Sequence, residues 1–487
     1  MEGLRFPIAT NEWQLFARVF VAVWVILGVI SASHAVMYKR EPKGAAVWLF
    51  VSFTIPIVGP WLYWVIGINR LERRAMRRRR KQEPHAALPD HAAAVPLTKA
   101  DLTAVGHLNS LHMMADRVTR MPLVPGNRIE PLHNGEGAYP TMLQAIAEAK
   151  ETVTLTSYIF DWDEVGRAFA DALGEAAARG VRVHVLLDGV GAVRSFSRTG
   201  RRLIKSGAEV AAFFPLRIPL GRLRINLRNH RKLLIVDGRI GFTGGMNISQ
   251  RHLLEGEPPR VEDLHFRVTG PIVGEMQQAF VEDWLLATGE SLVGVGYFPS
   301  LGPEGPALCR GIISGPDEDF EKIHWLLQAA FAAAQRSVRI ATPYFIPTSV
   351  LIGAMNMAAL RGVEITLVLP SKLDLPYMRW AADAYLWQLL EHGVRIYRRG
   401  DHFVHTKLLV VDDRWILLGS ANLDPRSFRL NFEFNIEAYD VELAMGLCQW
   451  IDGLLPACER VTLEAMDARP PFQRLRDGIV KMFSPHL

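Results

Sequence analysis

One string occurs twice in this chain with every spacing kept: His230-Arg-Lys232-Leu-Leu-Ile-Val-Asp237 and His405-Thr-Lys407-Leu-Leu-Val-Val-Asp412. After each aspartate six residues intervene before Gly244-Gly245-Met-Asn247 in the first copy and Gly419-Ser420-Ala-Asn422 in the second. Equal spacing in two copies means a duplicated unit, and a duplicated unit has to fold twice in the same way. His, Lys and Asn from two copies are also what a site needs to hold a phosphodiester and pass its phosphorus through a covalent histidine. The string therefore points to an enzyme acting on phosphate esters.

The repeat is wider than the string. Val153–Phe160, Arg179–Leu187 and Ser206–Val210 precede the first copy; Val338–Phe345, Arg361–Leu369 and His392–Ile396 precede the second. Each set reads as strand, Ala-rich helix ending at Gly, strand, helix ending at Gly, strand. Alternation of this kind predicts an α/β fold with a mainly parallel sheet covered by helices on both faces. Two such lobes imply a pseudo-twofold pair with the site at the seam, lobe 1 over 131–298 and lobe 2 over 307–487. A solenoid is excluded, because two copies of about 180 residues are too few and too long.

The amino-terminal end carries a second signal. Twenty residues between Arg18 and Lys39, and twenty-six between Lys43 and Arg70, contain no Asp, Glu, Lys or Arg. About twenty apolar residues cross the hydrocarbon core, so two spans are expected, about 17–38 and 45–68, as a hairpin within residues 1–81. Trp48, Trp61, Tyr63 and Trp64 are candidate interface anchors, and Pro56, Gly59 and Pro60 would kink the second span. A cleaved signal peptide with Ala32-Ser-His-Ala35 as its cleavage site is the competing reading; the long, acid-containing start with Glu2 and Glu12 fits it poorly. The basic run Arg70–Lys81 outweighs Lys39, Arg40 and Lys43 in the turn. By the positive-inside rule both termini and the catalytic lobes then lie in the cytoplasm, with the run against anionic headgroups.

Of 487 residues three are cysteines, an odd number without metal-ligand spacing, which fits a reducing compartment; the net charge is a modest +5. Residues 82–130 are expected to be a linker, its Pro- and Ala-rich start at 82–100 reading so most clearly, and Gly294–Pro306 breaks the chain between the lobes. Phe213–Asn229 alternates Leu and Ile with Arg217, Arg222, Arg224 and Arg228, as a segment touching lipid on one face and phosphate on the other would; a solvated edge strand has the same pattern.

The chemistry follows from residue types. Lys232 and Lys407 would neutralise the non-bridging oxygens of a phosphodiester, with Asn247 and Asn422 as neutral donors. A neutral imidazole attacks phosphorus while the opposite, protonated imidazole releases the alkoxide and later accepts a proton from the incoming alcohol. No acidic cluster with metal-binding spacing lies beside the motifs, so neither metal nor cofactor is expected.

These paired motifs resemble the HKD motifs of the phospholipase D superfamily. The order of parts, a hairpin with Pro-Ile-Val-Gly-Pro, two such lobes and the ending Arg469-Pro-Pro-Phe-Gln-Arg-Leu…Phe483-Ser-Pro-His-Leu487, is similar to bacterial cardiolipin synthases of the two-span type. That resemblance implies transfer of a phosphatidyl group between two phosphatidylglycerols in the bacterial inner membrane, releasing glycerol. It implies His230 as nucleophile and His405 as acid/base, near-symmetry leaving the order open. Asp237 and Asp412 complete the family's catalytic motif, with a structural part expected for both. Glu433 and Asp263 stand where the family places a carboxylate for each histidine's second nitrogen; Ser420 is a further phosphate contact, and Arg426 and Ser427 shape the site. Gly245 departs from the pattern, since many first motifs carry Ser; a phosphate contact there would have to come from backbone N–H. His184, His265 and His392 have no motif around them and are expected to be structural. A hydrolytic phospholipase D and a transferase using phosphatidylethanolamine remain open. A nuclease of the superfamily does not fit a basic run confined to the flank of two spans, so no nucleic acid is expected.

Overall fold

A computed structural model describes residues 10–39, 42–67, 97–189, 198–214, 227–255, 260–316 and 321–482. The basic run 70–81, the start of the expected linker at 82–96, residues 215–226 of the alternating stretch and the tail 483–487 lie outside the described residues. The apolar amino-terminal segment and the remainder form separate compact units, and each is taken by itself.

In the larger unit, lobe 1 contributes β1 (Val124–His133), β2 (Thr152–Ser157), β3 (Arg182–Asp188), β4 (Glu209–Phe213), β5 (Arg228–Asn229), β6 (Leu233–Val236), β7 (Ile240–Gly244), β8 (Val261–Glu262) and β9 (Leu264–Thr269). Lobe 2 contributes β10 (Ala307–Ser314), β11 (Ser337–Ala341), β12 (Glu364–Pro370), β13 (Arg395–Arg399), β14 (Phe403–Val404), β15 (Leu408–Val411), β16 (Trp415–Gly419), β17 (Asn431–Tyr439) and β18 (Cys458–Val461). One sheet runs through both, in the order β18-β13-β12-β11-β15-β16-β17-β10-β1-β9-β7-β6-β2-β3-β4. Each lobe keeps its own apolar core on this sheet.

The expected strand-helix-strand trios are parallel, β2-β3-β4 and β11-β12-β13. The sheet as a whole is mixed rather than mainly parallel. The repeated string itself is a hairpin, β6-β7 and β15-β16, and a short turn can only join antiparallel strands. Its turns place Asp237 and Gly238 at φ 51° and 61°, and Asp412 and Asp413 at φ 53° and 52°, a left-handed region that Gly, Asp and Asn enter most readily.

The segment expected as linker is folded from residue 97 on. Thr98 caps the helix Lys99–Val105 through Asp101. Leu108, Leu111 and Ala115 are fully buried with Ile323, Leu326 and Leu327 in the core of lobe 2, and β1 lies between β10 and β9 at the centre of the sheet. Its Pro- and Ala-rich beginning concealed an amphipathic continuation.

Short strands cross the seam in two reciprocal pairs: Asn431 opposite Arg228 and Phe432 opposite Asn229; Phe403 opposite Val261 and Val404 opposite Glu262. The His230 N–H donates to Phe432 O at 2.9 Å, and the His405 N–H to Glu262 O at 2.8 Å. A contact repeated with the roles of the halves exchanged is what a twofold axis produces. It delivers each histidine into the other lobe.

Among the described residues the amino-terminal unit has one helix, Trp13–Tyr38, long and apolar enough to cross a membrane. Most of its large apolar side chains are exposed. The second apolar stretch is broken at Pro56, where a kink was expected. Its helix Pro42–Thr54 has 13 residues, about 20 Å at 1.5 Å per residue against a core of about 30 Å. Pro56 removes a backbone donor, Ile57 takes φ 61°, and the chain resumes as Val58–Leu62 and a π turn Tyr63–Gly67. Tyr63 and Trp64, expected as interface anchors, point at the first helix instead: Tyr63 Oη lies 2.6 Å from His34 Nδ1, and Trp64 Nε1 donates to Ser31 Oγ at 2.9 Å.

Candidate active site

The crossing strands bring both repeated strings to one place. His230 Nδ1 lies 3.0 Å from Glu433 Oε2, and His405 Nδ1 lies 2.8 Å from Asp263 Oδ2. Each carboxylate therefore orients the histidine of the opposite lobe, although in sequence it follows the motif of its own. With Nδ1–H donated to a carboxylate, each Nε2 carries the lone pair that chemistry at phosphorus needs. Both carboxylates are fully buried, while the two imidazoles keep about a tenth of their surface exposed, 12% and 11%.

Lys232 and Lys407 follow by two residues in the short links between β5 and β6 and between β14 and β15. Each ammonium donates back to the carbonyl of its own histidine, Lys232 Nζ to His230 O at 2.7 Å and Lys407 Nζ to His405 O. Burial is the main cause that lowers both: Lys232 comes to about 7 and Lys407 to about 8 from an ordinary 10.5, each also depressed or held by charges across the seam. Burial likewise lowers His230 to about 4, against the opposing pull of Glu433. His405 falls well below its usual range, through burial and then Lys407, Lys232 and His230. Burial thus holds all four groups below their ordinary values. An anion placed among them would supply the charge that they lack.

Behind the histidines the lobes differ. Glu433 accepts from Ser420 Oγ at 2.6 Å, Ser427 Oγ at 2.9 Å and Asn431 Nδ2 at 3.0 Å besides His230. Burial would raise it, but His230, Lys232 and Ser420 hold it below its ordinary value. Asp263 accepts from its neighbour's Leu264 N–H at 2.9 Å, and burial pushes it up despite Lys407. Gly245 stands where lobe 2 has Ser420. A Cβ there would come 2.4 Å from Asp263 Oδ1, so glycine makes room for the carboxylate. The Ser420 hydroxyl, expected at the phosphate, is committed to Glu433.

Asp237 and Asp412 lie past the far ends of β6 and β15 from their histidines. Asp237 accepts from the N–H groups of Lys150, Glu151 and Thr152; Asp412 accepts from Gln335, Arg336 and Ser337 and from His107 Nε2 at 2.6 Å. Those bonds tie the hairpin to the strand beside it, the structural part expected for both. Asn247 and Asn422 close matching loops. The Asn247 N–H donates to His252 Nε2 at 3.2 Å, the Asn422 N–H to Ser427 Oγ at 3.1 Å, and Asn422 Oδ1 has no partner among the described residues.

His252 escaped the sequence reading. It is buried, its Nδ1 is 3.9 Å from Asp263 Oδ2 and its ring is 6.0 Å from that of His405. Its lobe-2 counterpart is Ser427, five residues after Asn422 as His252 is after Asn247; that repeated offset was the available signal. Tyr158 is a second omission: its ring packs 5.1 Å from His230 and under Lys232 Nζ at 5.5 Å. Of the histidines expected to be structural, His184 packs on Trp284 and Tyr297, and His392 bonds Gln388 O at 2.9 Å. His265 is buried beside Asp263, which opposes its burial-lowered value of about 4. Among the described residues no cluster of His, Cys, Asp and Glu could hold a metal ion.

Comparisons with known proteins agree with this geometry. The family model described as cardiolipin synthase, PLD-like domain, matches residues 142–284 and 327–455, one repeated string in each. Cardiolipin synthase 1 of Staphylococcus epidermidis is 32% identical over 482 residues, covering 96% of this chain and 98% of its own. The major cardiolipin synthase of Bacillus subtilis is 32% identical over 481 residues, covering 97% and 99%. Among solved structures, phosphatidylserine synthase of Haemophilus influenzae superposes with a TM-score of 0.62 at 16% identity, over 78% of this chain and all of that one, a likeness of fold. Two phospholipase D-like lobes joined through reciprocal histidine–carboxylate pairs, with relatives matched from end to end, place the chain in the cardiolipin synthase family.

Proposed function

We propose that the chain transfers a phosphatidyl group from one phosphatidylglycerol to another, giving cardiolipin and glycerol. The observation that carries the reading is the pair of crossed histidine–carboxylate contacts with both lysines between them. His230 Nε2 attacks phosphorus, the P–O bond to the glycerol headgroup breaks, and His405, protonated at Nε2, gives that proton to the leaving oxygen. The headgroup hydroxyl of the second lipid then returns a proton to His405 Nε2 while its oxygen displaces His230 from phosphorus. The site supports this order of roles because His230 has the better-ionised partner. An imidazole bonded to phosphorus at Nε2 and to hydrogen at Nδ1 is positive, and Glu433, held low, balances it. Binding the lipid anion raises His405 toward protonation.

Both substrates and the product stay in a bilayer, where a tether makes encounter two-dimensional. The apolar helix Trp13–Tyr38 fits that part. With residues 44–69 as a second, broken crossing and the basic run 70–81 inside, the lobes lie on the cytoplasmic side of the inner membrane. A reporter fused after Leu487 should read cytoplasmic, and a cysteine at Glu41 should be labelled from the other side; labelling from the cytoplasm would overturn the hairpin.

Labelled phosphatidylglycerol vesicles without nucleotide or divalent metal test the reaction. Cardiolipin and free glycerol should appear in equal amounts. Phosphatidic acid as main product would make the chain a hydrolase, and a strict need for added phosphatidylethanolamine would change the second lipid.

A further inference from the structure

The last helix of the larger unit, Pro471–Met482, has two unlike sides. Asp477 is 1% exposed and pairs with Arg469 Nη1 at 2.9 Å and with Arg476 Nη2 at 2.7 Å. Val480 packs with Ile346, Met378, Ala381, Leu373 and Tyr344 in a small apolar cluster, and Lys481 lies 4.2 Å over the Tyr385 ring. That side fixes the helix to lobe 2. The other side carries Phe472, Leu475, Ile479 and Met482, exposed by 68%, 66%, 49% and 72%. Their spacing of three, four and three residues lines them up in one stripe. Arg474 neighbours Leu475 in sequence and stands, exposed, about 100° to one side of the stripe, whereas Arg476 on the other side is held by Asp477 and lies 4.3 Å over the Trp380 ring.

A row of large apolar side chains bordered by an exposed arginine is unsuited to water and well suited to the boundary between acyl chains and anionic headgroups. The fixing side reaches the catalytic mouth. Tyr344, in the cluster under Val480, has its ring 6.3 Å from Phe403, which in turn lies 5.7 Å from His405. We propose that Pro471–Met482 is a docking helix that lies in the surface of an anionic bilayer, apolar stripe inward and Arg474 at the headgroups, and sets the lobe-2 side of the catalytic mouth on the lipid. The proposal stands on the surface of this helix and not on the chemistry at the histidines.

The test uses the full-length chain reconstituted in vesicles, with Cys309, Cys448 and Cys458 replaced by alanine and an environment-sensitive fluorophore on Leu475→Cys. The control label sits on Lys205→Cys, an exposed position of lobe 1. Vesicles are phosphatidylcholine with phosphatidylserine, or phosphatidylcholine alone, each with acyl-chain spin-labelled lipid as quencher; phosphatidylserine is not a substrate of the proposed reaction, so turnover does not enter. In anionic vesicles the label at 475 should be quenched roughly twofold or more beyond the control, with most of that excess lost in phosphatidylcholine. Equal quenching at both positions overturns the proposal. Equal quenching at 475 in both vesicle types overturns the part played by Arg474. Energy transfer between labelled copies without lipid quenching would show a second copy covering the stripe, and overturns it too. Hydrogen exchange on the unsubstituted chain gives the same answer independently: amides of 471–482 should be slowed by anionic vesicles, and no slowing counts against docking.

Discussion

Glu433 and Asp263 occupy equivalent places at the end of a seam-crossing strand, and each receives Nδ1–H from the histidine opposite. Their surroundings have diverged. Two hydroxyls and an amide converge on Glu433, whereas Asp263 has a glycine where Ser420 would be and His252 where Ser427 would be. Burial raises both carboxylates; at Glu433 the pull of His230, then Lys232 and Ser420, outweighs it, while at Asp263 that of Lys407, His252 and His265 does not. The backbone frame of the duplication thus keeps the two histidines in register, while the side chains behind them shift the two carboxylates in opposite directions. A two-step transfer needs that inequality, since one imidazole must carry phosphorus and the other must trade a proton.

The sharpest way to break the comparison is to delete each histidine in turn. His230→Ala should abolish synthesis and any phosphatidyl-enzyme. His405→Ala should also lose turnover, because glycerol leaves poorly without a proton. With a p-nitrophenyl phosphodiester the second variant should still load His230 and then stall, since a good leaving group removes most of the about 10²–10⁴-fold that a general acid supplies. Acid-quenched mass spectrometry reads the adduct. Finding it on His405 in the His230→Ala protein, and nowhere in its counterpart, would exchange the roles.

Replacing the carboxylates tests the inequality itself. Glu433→Gln keeps the shape and removes the charge facing a phosphorylated His230, so turnover should fall about 10²–10⁴-fold with either leaving group. Asp263→Asn should cost on the order of tenfold with phosphatidylglycerol and almost nothing with the activated substrate, because its histidine is then not needed as an acid. Equal losses in both variants on both substrates would mean that the different surroundings of Glu433 and Asp263 have no catalytic meaning.

Much of this site was legible in the residues, because a repeat with fixed spacing survives folding unchanged: His230, Lys232, His405 and Lys407 converge as the duplicated string implies. The crossed pairing was not legible. Asp263 follows the first motif in the chain, and only the reciprocal strands of the seam send it to the second histidine. His252 stayed hidden because its counterpart is a serine, so a search for repeated residue types passes over it. The string that marked the site also misled about the sheet: its apolar run reads as a strand in any direction, and only the turn at Asp237 and Asp412 makes it antiparallel. The second apolar stretch has the composition of a span, but Pro56 and the left-handed Ile57 interrupt its helix.

The hairpin aspartates offer a contrast in stability. Asp237→Ala and Asp412→Ala should each destabilise the fold by about 2–4 kcal/mol, since three backbone N–H groups lose a charged acceptor. Asp412→Ala should be the worse of the two, because His107 is left unpaired as well. Chemical denaturation in detergent measures this, and the fraction that stays folded should retain its kcat. A folded Asp412→Ala protein with lost turnover would return that residue to the chemistry.

The finest difference between the lobes is in the lysines, and protons count it. Without an anion Lys232 sits at about 7 and Lys407 at about 8, both lowered chiefly by burial. A bound phosphodiester favours the charged form of each, so both values rise on binding. Between the free and bound values the complex holds more protons than its parts, and binding must take protons up; affinity accordingly falls as pH rises through that range. At pH 8 Lys232 is mostly neutral and Lys407 about half so, and together they should take up about one proton or slightly more per anion. Calorimetry with a non-cleavable phosphonate diester, in two buffers of different ionisation enthalpy, gives the number directly. Lys232→Met should leave a smaller uptake centred near the Lys407 value of about 8, and Lys407→Met one centred near the Lys232 value of about 7. If binding exchanged no protons at pH 8, the lysines would already be charged before the anion binds, and their lowering by burial would be refuted.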